Sequence, residues 1–318
     1  MKRNLTLDYY KIILSILIIY LHFIIPIIYD NQHYSEYMSK ISYFFIWQLS
    51  GIAKLGVPAF FIINGYYLSI SDDKKTFKYI FRIFKLYIVW TLFYLPWMPW
   101  NDEPNKLLLI LNLIFGFYHL WYLSSLIGAI LILYLICKCT KNVYIIVTII
   151  SILFITGYLI QLKFGAGNLV LVYIFRNSLF FALPYVTLGF LIRKINIKNY
   201  KIIYLLIILC LILLIIETYY YTTLVQYYDI YLSAFILCPL IFILLLNKGK
   251  IKTVDKEYKL NDLSSAIYYI HPAILLLTNR LISIDNQNLI YWLPFLVITI
   301  IFFSFTITGV NKIFKFFL

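Results

Sequence analysis

Apolar runs of about twenty residues, broken by short polar stretches, recur along the whole chain, and each is of a length to cross a hydrocarbon layer about 30 Å thick. Ten such segments are predicted, at 9–29, 50–70, 81–97, 119–137, 142–161, 170–192, 201–221, 230–247, 263–281 and 289–311. The stretch 106–118 is too short to span and reads as a re-entrant or interfacial helix leading into the fourth segment. Pro58, Pro184 and Pro272 fall inside segments and predict kinks whose freed backbone groups neighbours must satisfy. The longest polar stretch, 247–262, is too short to fold alone. The expected fold class is all-α: a polytopic membrane bundle of about ten transmembrane helices, forming one integral membrane domain over 1–318 with no internal repeat.

Composition agrees with that pattern. The chain is 63% hydrophobic and only 13% charged, about half the charge fraction of soluble domains. Its net charge of +14 does not point to nucleic acid, because the basic residues sit in short loops between spans, where they set orientation. With the N-terminus in the cytoplasm, 20 of the 27 Lys and Arg fall on the cytoplasmic side and six on the other, with Lys11 inside the first span. This bias predicts cytoplasmic termini and a multi-pass protein of the cell membrane. No cleavable leader is expected, since Asp8 and Lys11 interrupt the opening and no small-residue cleavage site follows. Cys137, Cys139, Cys210 and Cys238 read as reduced thiols; a lone C-x-C is weak evidence for a metal, and none is expected. Lysines outnumber arginines 22 to 5, a drift that also offers a bland reason for a lysine where a related chain uses arginine.

The groups able to do chemistry are few. His22 lies deep in the first apolar segment, where an ionisable side chain is costly and marks function. Lys11 is three helical turns earlier, about 16 Å nearer the N-terminus, and Asp8 and Ser15 share its stripe at i−3 and i+4. Mutual satisfaction inside a bundle is the competing explanation. His33 falls in the first outer loop and is discounted. His119 opens the fourth segment beside Trp121, an aromatic that also suits interfacial anchoring. His271 precedes Pro272, so its imidazole has the equally good structural use of satisfying a freed carbonyl. Asn64 either orients an imidazole or bridges helices. Lys74, Lys75, Lys78, Arg82 and Lys85 head the third segment; positive-inside charge explains them, and so does a phosphate-binding mouth. A glycine-rich phosphate loop, a His-x-x-x-His pair and a G-x-S-x-G elbow are absent from the sequence. Carboxylates in the spans are limited to Asp8 and Glu217, few for a proton-coupled transporter.

At these residues the chain resembles the acyltransferase-3 family of integral membrane acyltransferases, over nearly its whole length. The family's Arg-x10-His motif is matched by Lys11-x10-His22 behind Asp8, and its Val-Pro-x-Phe-Phe-x-x-Ser-Gly signature by Val57-Pro58-Ala-Phe60-Phe61-Ile-Ile-Asn64-Gly65. The basic pair is Arg82 and Lys85, and the His-Leu-Trp-Tyr-Leu element stands at 119–123. Arg176-Asn177 followed by Gly189 resembles the sixth-helix pattern, and Tyr268-x-x-His271-Pro272 the ninth. Lys11 and Lys85 depart from arginine, which loses bidentate phosphate geometry, and Asn64 departs from serine. The esterase-like domain of some family members has no counterpart in this sequence.

The resemblance implies transfer of an acyl group, expected to be acetyl, from cytoplasmic acyl-CoA to a hydroxyl of a cell-surface glycan or its lipid-linked precursor. Acyl-CoA is then a co-substrate and no cofactor is permanently bound. Lys11, Arg82 and Lys85 would hold CoA phosphates, neutral His22 would be the general base, and Asp8 would orient Lys11. Asn64, His119, Trp121, Arg176, Tyr268 and His271 would line the acceptor. Partners in this reading are acyl-CoA, the glycan and membrane lipid, with no nucleic acid. The alternatives are an exporter of a glycan or lipid-linked sugar, which would not need acyl-CoA, and a non-catalytic accessory subunit, which would tolerate substitution of His22 and Lys11.

Overall fold

The structure, a computed structural model, describes residues 2–30, 40–98, 100, 106–164, 169–193, 200–224, 228–248, 251–253, 260–281, 289–314 and 318. His33 and the loop cations Lys194, Lys198, Lys250, Lys256, Lys259 and Lys315 lie outside the described residues. The described chain is helical apart from one antiparallel ribbon. Strand β1 (Lys2–Asn4) leads into α1 (Leu5–Asp30) and pairs with β2 (Ile251–Thr253), Arg3 opposite Lys252. The Asn4 side chain starts α1 by accepting from the Thr6 and Leu7 amides at 3.1 and 3.3 Å. Then follow α2 (Lys40–Ala53), α3 (Gly56–Tyr67), α4 (Asp73–Tyr94), α5 (Lys106–Phe115), α6 (Trp121–Cys139), α7 (Val143–Phe164), α8 (Leu169–Phe175), α9 (Leu183–Ile192), α10 (Tyr200–Leu224) and α11 (Leu232–Lys248). After β2 come α12 (Leu260–Leu281) and α13 (Leu289–Phe314).

Among the described residues, seven helical stretches are long and apolar enough to cross a membrane: Leu5–Phe23, Phe45–Tyr67, Asp73–Trp97, Trp121–Cys139, Val143–Phe164, Tyr200–Tyr221 and Trp292–Ile313. Each of the ten predicted segments falls on helical structure, with corrections. The second starts earlier and breaks between α2 and α3 at Lys54 and Leu55. Pro58 therefore lies in the first turn of α3, where its missing N–H costs no intrahelical bond. The sixth is broken at Arg176 and Asn177, and a π-helical turn over Ser178–Ala182 joins it to α9. Asn177 restarts the chain by accepting from the Leu179 and Phe180 amides at 2.9 and 3.0 Å. The Ala182 amide then reaches back five residues to the Asn177 carbonyl, the π spacing, so Pro184 also meets a helix start rather than an interior. The eighth is only the 17 residues of α11. The ninth, α12, is long but too polar to count among the seven, and its polar residues matter below.

The short α5 is about 15 Å long, and its last carbonyls need partners. The Tyr87 hydroxyl donates to the Leu113 and Ile114 carbonyls at 2.9 and 3.1 Å, and the Ser124 hydroxyl donates to that of Phe115. Gly116 closes the helix at φ +107°, and a Cβ there would stand 2.4 Å from the Leu120 carbonyl carbon, so only glycine fits.

Backbone contacts divide the chain into two compact units, Met1–Gly56 with Leu244–Leu318, and Val57–Ile243. The first unit packs α1, α2, α12 and α13 around Ile19, Phe23, Trp47, Ile267, Leu296 and Ile300. In the second, α3 and α9 cross with their backbones in contact. A Cβ on Gly65 would lie 2.0 Å from the Val186 carbonyl oxygen, and one on Gly189 would lie 2.1 Å from that of Ile62. Small residues allow this approach and nothing larger does. Gly189→Ala is therefore expected to force the helices apart at a cost of about 1–3 kcal/mol or more. Gly309→Ala, with no atom within 4 Å, should stay within about 0.5 kcal/mol of the wild type. Thermal unfolding in detergent checks this; equal melting temperatures for the two variants would contradict the crossing.

Candidate functional site

In the first unit, the polar stripe of α1 faces a matching stripe on α12. Lys11 Nζ donates to Asn261 Oδ1 at 2.7 Å, the Ser15 and Ser264 hydroxyls meet at 3.1 Å, and His22 Nδ1 meets His271 Nε2 at 2.8 Å. The sequence separations, 250, 249 and 249, agree to within one residue, so the two helices run parallel. Asp8 and Ser15 are buried on this seam, and the Ser15 hydroxyl also reaches the Lys11 carbonyl at 2.9 Å. The buried serine rung and the part-buried histidine rung answer the cost of a polar group in an apolar surround with a partner from the other helix, while the Lys11–Asn261 rung is exposed.

The uppermost rung fixes proton positions. His271 is buried and its Nδ1 lies 2.9 Å from the Ile267 carbonyl. A carbonyl only accepts, so Nδ1 of His271 carries a hydrogen. With the ring neutral, His271 Nε2 is then an acceptor. His22 must then donate to it from Nδ1–H, and with that ring neutral as well its Nε2 is the unprotonated nitrogen. The rings lie nearly parallel, 11° apart with centroids at 5.1 Å, and Tyr268 flanks His271 with its ring centroid at 6.4 Å. His22 itself is only partly buried.

In the second unit, Asn64 is spent on helix bridging. It accepts from the Tyr79 hydroxyl, and its Nδ2 donates to the Tyr122 hydroxyl at 2.6 Å and the Phe60 carbonyl at 2.8 Å. This ties α3 to α4 and α6. Arg82 and Lys85 are exposed on α4, with the Lys85 ammonium 4.6 Å from the centre of the Phe81 ring. His119 is buried and meets the Tyr94 ring edge-on at 5.1 Å. The residue before it, Tyr118, has φ +55°, a left-handed conformation costly for a bulky side chain and characteristic of constrained sites.

Arg176 and Trp121 come together: the guanidinium carbon lies 4.7 Å above the indole. Arg176 also pairs with Asp229 at 3.3 Å. The segment carrying Asp229 is held by buried Gln161, which accepts from the Asp229 and Ile230 amides and donates to the Ile230 carbonyl, all at 2.8 Å. Glu217 caps α11 by accepting from the Leu232 and Ser233 amides at 2.8 and 2.9 Å. A carboxylate at a helix N-terminus is favoured by hydrogen bonds and dipole alike.

The sequence pattern found Asp8, Lys11, His22, Tyr268 and His271, which the first unit gathers on α1 and α12, and Trp121 and Arg176, which the second unit pairs. It missed Asn261, Ser264, Tyr79, Tyr122, Gln161 and Asp229. Asn261, Ser264 and His271, spaced by 3 and 7 residues, lie on one face of α12 as Lys11, Ser15 and His22, spaced by 4 and 7, lie on one face of α1. Asp229 lies outside any periodic segment and gave none.

Compared with known families, residues 4–309 match the acyltransferase-3 model, described as an acyltransferase domain. No curated protein and no solved structure matches the chain.

Asn64→Leu removes one acceptor and two donated bonds among three helices. It should cost about 2–4 kcal/mol, because the Tyr79 and Tyr122 hydroxyls and the Phe60 carbonyl lose partners. Chemical denaturation in detergent measures it, and a cost under about 0.5 kcal/mol would show that the bridge carries no stability.

Proposed function

The chain belongs to the acyltransferase-3 family and is thus a membrane acyltransferase; from that premise we propose that it moves an acyl group, acetyl first among candidates, from cytoplasmic acyl-CoA to a hydroxyl of a cell-surface glycan or lipid-linked precursor. The observation that carries this reading is the oriented imidazole pair, which leaves an unprotonated Nε2 on a partly buried His22. Such a nitrogen is a general base. It takes the acceptor's proton as the hydroxyl oxygen bonds to the thioester carbonyl carbon. The carbon–sulfur bond then breaks, the CoA thiolate leaves, and the proton passes from His22 to that sulfur. An ester and free CoA result, with His22 restored to its starting state.

In this reading His271 is a positioning residue that holds the His22 tautomer. Lys11, Arg82 and Lys85 are the cations assigned to the donor's phosphates, ammonium groups serving as point charges and Arg82 supplying the planar fork. Asp8 supports Lys11; Trp121, Arg176, His119 and Tyr268 are assigned to the acceptor side, and Asn64 braces α3 against α4 and α6. Ten spans with both termini in the cytoplasm, in the cell membrane, complete the proposal. It is supported by the coincidence of all ten predicted segments with helices and by the 20-to-six distribution of loop cations.

His22→Ala is expected to lower kcat for acetyl transfer by about 10²–10⁴-fold while leaving acetyl-CoA binding near wild type. His271→Leu should lose part of that rate, and His271→Gln, whose amide oxygen can still accept from Nδ1–H, should recover some of it. Acyl mass on surface glycans and transfer from radiolabelled acetyl-CoA are the readouts. Full transfer by His22→Ala at normal expression would remove His22 as the base.

A further inference from the structure

We propose that Asp229 sets acceptor specificity, making the Arg176–Asp229 pair a recognition element for the hydroxyls of an uncharged sugar rather than an acidic one; this rests on the acyl-transfer reading above. Both side chains keep part of their surface exposed, 29% for Arg176 and 20% for Asp229. Both are also fixed by parts other than their mutual attraction. The guanidinium lies over Trp121, Arg176 sits in the turn that Asn177 organises, and the Asp229 backbone is clamped by Gln161.

The donor count shows what this arrangement can recognise. A guanidinium has five N–H donors. Arg176 gives one to Asp229, and among the described residues the structure gives its guanidinium no other hydrogen bond. Donors from Arg176 and the Asp229 carboxylate stand side by side, and the formal charges of the two cancel. Neighbouring sugar hydroxyls fit that pattern, one accepting from the guanidinium and the next donating to the carboxylate. A sugar carboxylate does not, because Asp229 already neutralises the cation and repels a second anion. An arginine without Asp229 would instead favour a carboxylate, through charge-assisted and bidentate bonds. Specificity of this kind comes as much from the group that rejects as from the group that attracts.

The test uses the full chain in proteoliposomes with acetyl-CoA and two probe acceptors, p-nitrophenyl β-glucoside and p-nitrophenyl β-glucuronide, which share the hydroxyls at positions 2, 3 and 4. The quantity read is the ratio of kcat/KM for the two. The wild type should favour the glucoside. Asp229→Asn should move the ratio about tenfold toward the glucuronide, the size of one good charged contact, and Arg176→Gln should move it the opposite way. A merely structural role predicts that both acceptors lose equally, with the ratio fixed. An unchanged ratio in Asp229→Asn, or a wild type that favours the glucuronide, would overturn the proposal. If Asp229→Asn does not fold, Arg176→Gln decides alone, and an unchanged ratio there has the same force. Transfer to neither acceptor by the wild type would instead overturn the glycan-acyltransferase reading beneath it.

Discussion

The Ile267 carbonyl cannot donate a hydrogen bond, and the chemistry proposed for α1 depends on that. It fixes the proton of His271 on Nδ1, turns the other nitrogen toward His22 as an acceptor, and so decides which face of His22 is basic. No neighbouring carboxylate is needed for this. The orientation comes from a backbone group on α12, and it survives only while α1 and α12 keep their register. That register is held by the rungs below, Ser15 with Ser264 and Lys11 with Asn261, and by the apolar packing of Ile19, Phe23, Ile267 and Leu275 around them. Polar groups that cost energy in an apolar setting are thereby paired, and the pairing aligns the one imidazole that is assigned a reaction.

The second unit uses a different device. Its constraint is close backbone approach, with Gly65 and Gly189 letting α3 and α9 touch. Breaks in the helices are then filled by side chains: Asn177 at the π turn, Tyr87 and Ser124 at the end of α5, Glu217 at the start of α11 and Gln161 beside Asp229. Each satisfies backbone groups that a helix end or break leaves without an intrahelical partner. The result is a set of irregular turns held by side-chain hydrogen bonds, and three of the residues assigned to the acceptor, His119, Trp121 and Arg176, sit in or next to them. Irregular backbone is where functional groups concentrate, provided that a firm scaffold holds it.

Much of this was legible from periodicity. Hydrophobic runs placed segments that all fall on helices, and the helical spacing of Asp8, Lys11, Ser15 and His22 marked the polar face of α1. Pro58 and Pro184 were read as kinks and proved to be helix starts, because a proline signals a missing donor without saying whether the helix ends before it or bends at it. The break at Arg176 and Asn177 was hidden because the residues on both sides are equally apolar. Asn64 carried two readings, and only the positions of Tyr79 and Tyr122 show how its carboxamide is used. The partners of Lys11 and His22 lie some 250 positions along the chain, and no local pattern reports such a contact.

The most direct measurement is the proton position on His22, read by ¹⁵N solid-state NMR of histidine-labelled protein in bilayers, with His22→Gln used to assign the signal. The account predicts a neutral ring with hydrogen on Nδ1, bonded across to His271, and an unprotonated Nε2. A His22 ring carrying its hydrogen on Nε2 would contradict it, because the nitrogen assigned as the base would then be a donor.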